Sequence, residues 1–347
     1  MGHLWLNIIF FLILSSLWLI LGGAMKYRKL GQSDVEVSEI SLGCWTMGGL
    51  NWVDGSPNGW ANVDAAEIKR AIDYALDQGV NHFDNADVYG NGRAERMLSE
   101  ILGARTKKIS IATKVGWFPG TAPHAYEAAH IRHQCEQSLL NLKRDVIDLY
   151  YFHHGNFGKN DQYLDEAVAA MNQLKKEGKI RLIGQSAYSN ADFTRLVPKV
   201  KPDVLQSWAH IMDDQFIREG TPVWKLLKEK KMSFVAFSPL NQGILLGKFD
   251  PQNPPAFEAG DHRLGDKRFT REELLQVQPK VEKLKSRFGS DVKDLARVAL
   301  QYLLANPLVC CVIPGFRNLN QVQVNLAADN KPLTPEDVEF IGNTFIS

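Results

Sequence analysis

Cysteine is scarce in this chain, with four cysteines among 347 residues. They are Cys44, Cys135, Cys310 and Cys311, and none of them forms a CxxC pair or a zinc-type spacing with histidine. Cys310 and Cys311 are adjacent within an apolar run, which indicates buried strand residues. We therefore expect reduced thiols in a reducing compartment, and no metal site.

Excess charge of one sign is also lacking. The formal net charge is +1 and the basic residues are scattered along the chain, which argues against nucleic acid as the main partner. The content of hydrophobic residues, 45%, and of charged residues, 23%, is that of an ordinary globular protein. The length allows one large α/β barrel or two domains.

Two glycine motifs are absent. The segment GNGRAE at 90–95 contains GxG but ends in Glu95, so it is not the dinucleotide fingerprint of a doubly wound fold. The segment GQSAY at 184–188 lacks the second glycine of a nucleophile elbow, which argues against a barrel hydrolase.

Short apolar runs alternate with helical patterns after residue 25. Because these runs are continuously apolar, they are typical of a parallel sheet buried on both faces. Eight candidate strands follow, at 40–45, 80–86, 109–115, 147–154, 180–186, 204–208, 233–239 and 311–315. The count predicts an α/β fold of the (β/α)8 TIM-barrel type over 25–347, with a doubly wound fold as the alternative.

Three segments lie between or before these strands. The segment KLGQSDVEVSEI at 29–40 predicts an N-terminal β-hairpin that covers the bottom of the barrel. Asp64 is a predicted N-cap of a helix, with Glu67 as its capping-box partner. The stretch 247–290 is rich in proline, glycine and charge and is predicted to be irregular.

Residues 1–24 form a separate hydrophobic segment. Residues 4–22 carry no charge and are long enough to span a bilayer as a helix. Lys26, Arg28 and Lys29 follow, which by the positive-inside tendency favours a cytoplasmic body anchored to the inner membrane. Two alternatives stay open, a translation start at Met25 and a cleaved signal.

Polar residues occur where the predicted strands end, which is where barrel active sites lie. Asp84, Lys114 and His153 end the second, third and fourth strands, and Tyr89 follows Asp84 in the next loop. Each of them alone has a structural explanation, such as capping or packing. Together they form a proton donor set: an ammonium held by a carboxylate stabilises phenolate, and imidazole orients a carbonyl oxygen. A hydride cofactor is then implied.

Several ordered motifs resemble the aldo-keto reductase family, nearest to its bacterial stress-response and inositol-operon types. They are FDNADVYG at 83–90, ISIATKV at 109–115, DLYYFH at 148–153, IGQSAYS at 183–189, SPLNQGILLGK at 238–248 and VIPGFRNLNQVQVNLAA at 312–328. The resemblance runs from Met25 to the C-terminus.

The resemblance implies a barrel that binds NADPH and reduces aldehydes or ketones, sugars among them. Tyr89 would be the general acid, Lys114 and Asp84 would tune it, and His153 would orient the carbonyl. The implied cofactor residues are Ser186, Gln206, Phe237, Ser238, Leu240, Gln242, Gly243, Gly315, Arg317, Gln321 and Asn325.

Two features depart from the family pattern. Ala187 stands where the family usually has asparagine, and Tyr188 is a candidate to replace the lost contact. Trp45 and Trp117 follow the first and third strands and are expected to wall the substrate pocket or to pack in the core, with a flat or sugar-like substrate indicated.

A small carbonyl compound or alcohol is the expected partner, and the oligomeric state is left open. The alternative function that the resemblance implies is a cofactor-binding regulatory subunit of a membrane protein, like the potassium-channel β subunits of that family. The hydrophobic residues 4–22 keep that alternative open.

Overall fold

The computed structural model describes residues 25–53, 55–330 and 332–346. The strands in these ranges, in chain order, are β1 (Tyr27–Lys29), β2 (Glu36–Ser38), β3 (Leu42–Gly43), β4 (Leu50–Val53), β5 (Ser56–Gly59), β6 (His82–Asp84), β7 (Ser110–Val115), β8 (Ile147–Phe152), β9 (Ile180–Ser186), β10 (Val204–Trp208), β11 (Ser233–Phe237) and β12 (Val309–Ile313).

The helices lie between and after these strands. They are α1 (Ala65–Asp77), α2 (Arg93–Leu102), α3 (Ala128–Leu142), α4 (Leu164–Lys176), α5 (Asn190–Val200), α6 (Pro222–Lys230), α7 (Arg271–Phe288), α8 (Val292–Leu304), α9 (Leu319–Leu326) and α10 (Pro335–Phe345).

Eight parallel strands form the barrel, in the order β3, β6, β7, β8, β9, β10, β11 and β12. Backbone hydrogen bonds connect the first strand to the last: Ser41 N–H donates to Val312 O at 2.9 Å, and Gly43 N–H donates to Pro314 O at 3.1 Å. The predicted (β/α)8 barrel is therefore confirmed, and the doubly wound alternative is wrong. A ring of parallel strands brings all the carboxyl ends to one rim.

The predicted N-terminal hairpin is confirmed in strands β1 and β2, which pair antiparallel. Leu30, Val35 and Val37 of this hairpin are buried against the lower part of the barrel interior, together with Leu149 and Val235. The hairpin therefore covers the bottom of the barrel, as expected, and leaves the opposite rim for function.

The outer helices have caps that the sequence partly predicts. The Asp64 side chain accepts hydrogen bonds from the backbone N–H groups of Ala66 and Glu67, so the predicted N-cap is confirmed. Helix α7 corrects the expectation of an irregular stretch at 247–290. Thr270 caps this helix, and Leu274, Val281 and Leu284 bury its apolar stripe even though Pro279 lies inside it.

The hydrophobic segment 4–22 lies outside the described residues, so its role as a membrane span stays a prediction. Within 25–53, 55–330 and 332–346, no helix is both long enough and apolar enough to cross a bilayer.

Candidate active site

The four predicted catalytic side chains come together at the carboxyl rim of the barrel. Asp84 ends β6, Lys114 lies near the end of β7, and His153 follows β8 directly. Tyr89 lies on the loop after β6, and its ring centroid is 5.9 Å from that of His153. The sequence assigned these side chains to neighbouring strand ends, and the structure places them there.

Lys114 is the most deeply buried charge of the site, with 1% of its side chain exposed. Its Nζ forms an ion pair with Asp84 Oδ1, donates to Asn85 O at 2.6 Å and contacts the Tyr89 hydroxyl at 3.5 Å. A buried ammonium needs such partners because desolvation otherwise costs several kcal/mol. The amine is therefore fixed beside the phenol.

Asp84 is held from its other side by Gln206. The Gln206 Nε2 donates to Asp84 Oδ2 at 2.7 Å, so both carboxylate oxygens face a donor. The family resemblance implies that Gln206 contacts the cofactor. In this structure its amide nitrogen positions the carboxylate, and its cofactor role stays a prediction.

The protonation states of the phenol and the imidazole follow from burial. Burial, followed by the Asp84 carboxylate, raises the pKa of Tyr89 well above its ordinary value. This is opposite to the expected lowering by Lys114, because desolvation disfavours phenolate more than the ammonium favours it. Tyr89 is therefore protonated at neutral pH, which is the form that a general acid needs.

Burial, reinforced by the Lys114 charge, lowers the pKa of His153 well below its ordinary value. The imidazole is therefore neutral at physiological pH and carries one N–H donor. Its Nδ1 is buried without a hydrogen-bond partner among the described residues. A neutral ring beside a phenol can donate to a carbonyl oxygen without taking the proton that Tyr89 supplies.

A cavity of about 550 Å³ opens above these groups. Trp45 and Trp117, the predicted substrate-pocket residues, both line it. The Trp45 ring is stacked with Tyr89 at 6.1 Å between centroids, and the Trp117 ring lies 6.2 Å from His153. Other predicted residues in the lining are Asp84, Tyr89, His153, Ser186, Gln206, Phe237, Ser238 and Gly315.

The loop after β11 has an unusual backbone. The φ angles are +53° at Ser238, +45° at Asn241, +54° at Gln242 and +92° at Gly243. Left-handed conformations at non-glycine residues are strained and cluster at functional sites, and alternation of backbone hand builds anion-binding concavities. Leu240, also predicted, accepts the Gly243 N–H in this loop.

Three cations lie close to that loop. Gly243 lies against the Lys248 side chain, and burial together with the charges of Arg263 and Arg317 lowers the pKa of Lys248. Arg263 also pairs with Asp261 at 2.8 Å. The cluster therefore holds three cations against one carboxylate, which is an electrostatic setting for an anionic group.

The remaining predicted cofactor residues hold the loop between β12 and α9. Gln321 Oε1 accepts the backbone N–H of Arg317 at 2.8 Å, and Asn325 Nδ2 donates to Gly315 O at 3.5 Å. The structure thus brings these four residues together. Their contacts fix the loop, and their role toward a cofactor stays a prediction.

The outer wall of the cavity contains residues that the sequence argument did not assign. Strands β4 and β5 form a second hairpin, and His262 N–H donates to Gly59 O at 2.8 Å, which ties a distant loop to it. The His262 ring lies 4.5 Å from that of Trp45, and Asn51, Asn58 and Trp60 also line the cavity. The Asp54–Gly55 pair is a hairpin signal in the sequence, whereas nothing in it points to His262.

A comparison with known proteins identifies the family. The model of the aldo/keto reductase family matches residues 39–343. The chain is 29% identical to the "uncharacterized oxidoreductase YqkF" of Bacillus subtilis, with 91% of this chain and 95% of the relative covered. It is also 29% identical to a "probable voltage-gated potassium channel subunit beta" of Arabidopsis thaliana, with 88% of this chain and 91% of the relative covered.

The structural comparison agrees with the sequence comparison. The holo form of aldo-keto reductase AKR11C1 from Bacillus halodurans superposes with a TM-score of 0.72 at 28% identity, covering 92% of this chain and 96% of that one. The fold and the rim of polar side chains define a barrel oxidoreductase. The chain belongs to the aldo/keto reductase family.

Proposed function

We propose that this protein is an NADPH-dependent reductase of aldehydes or ketones, with Tyr89 as the general acid. One observation carries the proposal: the Tyr89 hydroxyl contacts the buried Lys114 amine at 3.5 Å beside a cavity of about 550 Å³. Such a pair can give a proton to a developing alkoxide and stabilise the phenolate that remains.

Each side chain of the site has a separate role in the proposed reaction. Asp84 and Gln206 hold Lys114 and its charge in place, and Lys114 stabilises the negative charge that Tyr89 acquires. Neutral His153 donates to the carbonyl oxygen and orients it toward the phenol. A bound nicotinamide would supply the hydride. The reverse reaction, oxidation of an alcohol, uses the same residues.

The residues present fit a nicotinamide dinucleotide. The Ser186 hydroxyl is buried without a hydrogen-bond partner among the described residues, so it is available to an amide such as the nicotinamide carboxamide. Phe237 offers a ring in the same cavity. The left-handed loop 238–243 would take the diphosphate.

The cluster of Lys248, Arg263 and Arg317 supports NADPH over NADH. Two guanidinium groups and an amine lie beside one carboxylate, Asp261, and this excess of positive charge suits an additional phosphate. NADH, which lacks the 2′-phosphate, would leave these charges mutually repelling. Arg317, one of the cofactor residues that the family resemblance implies, belongs to this cluster.

The test compares wild type with Tyr89→Phe. With the full-length chain, NADPH absorbance is followed against small aldehydes, aldoses and methylglyoxal. Wild type is expected to oxidise NADPH and Tyr89→Phe to lose turnover while retaining NADPH binding, measured by nucleotide fluorescence. Tyr150→Phe is the matched control, since its hydroxyl is also buried but lies on β8 away from the cavity. Retained turnover in Tyr89→Phe would refute the role.

The alternative function is a cofactor-binding regulatory subunit of a membrane protein. The similarity to potassium-channel β subunits of plants favours it, and the predicted span at 4–22 gives it a route to the membrane. The intact set of four polar side chains favours the enzyme. Tight NADPH binding with negligible turnover, together with co-purification of a membrane partner, would decide for the alternative.

A further inference from the structure

A second cavity of about 360 Å³ adjoins the catalytic one. Trp117 and Tyr188 line both cavities, and their ring centroids are 6.4 Å apart. The two rings are partly exposed, at 44% for Trp117 and 38% for Tyr188. A molecule that extends from the catalytic cavity would therefore pass along two aromatic faces.

The second cavity has a polar side formed by two carboxylates and one guanidinium. Arg195 Nη1 forms an ion pair with Asp161, and Arg195 Nη2 donates to Asp192 Oδ1 and to Gly155 O, both at 2.8 Å. Asp192 Oδ2 accepts from Ser189 at 2.7 Å. These contacts fix the carboxylate oxygens, each of which can accept a further hydrogen bond.

The net charge of this cavity is negative. His154 also lines it, and burial lowers the pKa of its imidazole, so it adds no charge at neutral pH. Both of its ring nitrogens are engaged, Nε2 with Gly116 O at 2.8 Å and Nδ1 with the Asn156 N–H at 3.1 Å. Two carboxylates against one guanidinium disfavour an anion and leave hydrogen-bond acceptors for hydroxyl groups.

We propose that this second cavity binds the distal, hydroxyl-bearing part of an elongated neutral substrate, whose reacting carbon lies at Tyr89. The inference rests on the proposed reductase function. Trp117 and Tyr188 pack against the carbon chain, and Asp161, Asp192 and Arg195 bond its hydroxyl groups. A chain without hydroxyl groups is disfavoured because it displaces water from these polar groups and leaves their remaining hydrogen-bonding capacity unfilled.

The experiment uses linear polyols, which do not cyclise, as substrates for the reverse oxidation with NADP⁺. For wild type we expect kcat/KM for a six-carbon polyol to exceed that for glycerol at least tenfold. A phosphate at the far end of the six-carbon polyol is expected to remove this gain, and 1-hexanol to show none of it. Reduction of a small aldehyde, measured in parallel, reports on the proposed function separately.

Asp161→Gly is the informative variant, because Asp161 has φ +58°, which glycine adopts without strain. Asn160→Gly is its matched control: the neighbouring residue has φ +54° but does not line the cavity. We expect the ratio of kcat/KM for the six-carbon polyol to kcat/KM for glycerol to fall below three in Asp161→Gly. In Asn160→Gly the same ratio should stay at the wild-type value.

Binding measurements keep the two proposals apart. Saturation-transfer NMR with the six-carbon polyol is expected to show binding to wild type and at least threefold weaker binding to Asp161→Gly. This result does not depend on whether the polyol is oxidised. Equal binding of the polyol by wild type and Asp161→Gly would refute the proposed role of the second cavity. So would a wild-type ratio of kcat/KM for the six-carbon polyol to that for glycerol near one, if the enzyme reduces the small aldehyde. Absence of all turnover overturns the proposed function alone.

Discussion

Replacing Asp84 by asparagine tests the electrostatics of the site at its centre. Both oxygens of the Asp84 carboxylate face donors, Lys114 Nζ on one side and Gln206 Nε2 on the other. Asparagine offers one acceptor and one donor, so one of these contacts becomes donor against donor. The substitution therefore leaves the buried Lys114 ammonium without its counter-charge and with a disrupted hydrogen-bond set.

The expected cost follows from burial. Removing one partner of a buried ion pair costs about 3–5 kcal/mol. The part of this cost that comes from the unpaired charge has a ceiling, because an ordinary lysine amine, with a pKa near ~10.4, can be deprotonated at pH 7 for about 4.6 kcal/mol. At pH 9 that ceiling falls to about 1.9 kcal/mol. The destabilisation is thus largest at neutral pH and shrinks as the pH rises.

The assay is urea unfolding of wild type and Asp84→Asn at pH 7 and pH 9. We expect a loss of about 3–5 kcal/mol at pH 7 and a clearly smaller loss at pH 9, where the unpaired charge contributes at most about 1.9 kcal/mol. Asp34→Asn is the control: Asp34 pairs with Arg181 at the surface with 88% of its side chain exposed, and its removal should cost less than about 1 kcal/mol at either pH. A loss in Asp84→Asn that is equally large at both pH values would refute the reasoning.

Three further outcomes follow from the site and the core. Because Tyr89 stays protonated and His153 neutral, kcat/KM for reduction should not change with pH between about pH 6 and pH 9. A change in kcat/KM with a midpoint near pH 6.5 would contradict the lowered pKa of His153. Arg317→Gln should weaken NADPH binding about tenfold and leave NADH binding unchanged in fluorescence titrations, and equal weakening of both would exclude the phosphate contact. In thermal unfolding, Gly184→Ala should cost about 1–3 kcal/mol because its Cβ would lie 2.1 Å from a buried tyrosine ring, whereas Gly342→Ala, in open space on α10, should cost nothing.

The positions of Asp84, Lys114 and His153 could be predicted because the order of the strands alone places these residues at one rim of the barrel. Each residue ends an apolar run, and parallel strands place their carboxyl ends at one rim. Tyr89 was predictable because its loop is short. These placements need only the apolar pattern of each strand, which is local in the sequence, and the parallel strand order that the fold class supplies.

The acidity of Tyr89 was not predictable in the same way. The sequence shows that an ammonium and a carboxylate lie near the phenol, which indicates a lowered pKa. The structure shows that burial and Asp84 outweigh Lys114 and raise it. Desolvation depends on how completely neighbouring segments cover a group, and coverage is a property of the packed molecule.

The residues that line the two cavities could not be predicted from local sequence patterns either, because segments far apart in the chain form the cavity walls. His262 lines the catalytic cavity because its loop is hydrogen-bonded to the hairpin of β4 and β5. The loop and the hairpin are far apart in the sequence. Asp161 and Arg195 meet across 34 residues. In the proposed reaction the barrel fixes where the proton is transferred, and these loops decide what molecule can reach that point. Substrate choice in this protein is therefore to be sought in loop variants such as Asp161→Gly, whereas changes at the strand ends should remove catalysis for every substrate alike.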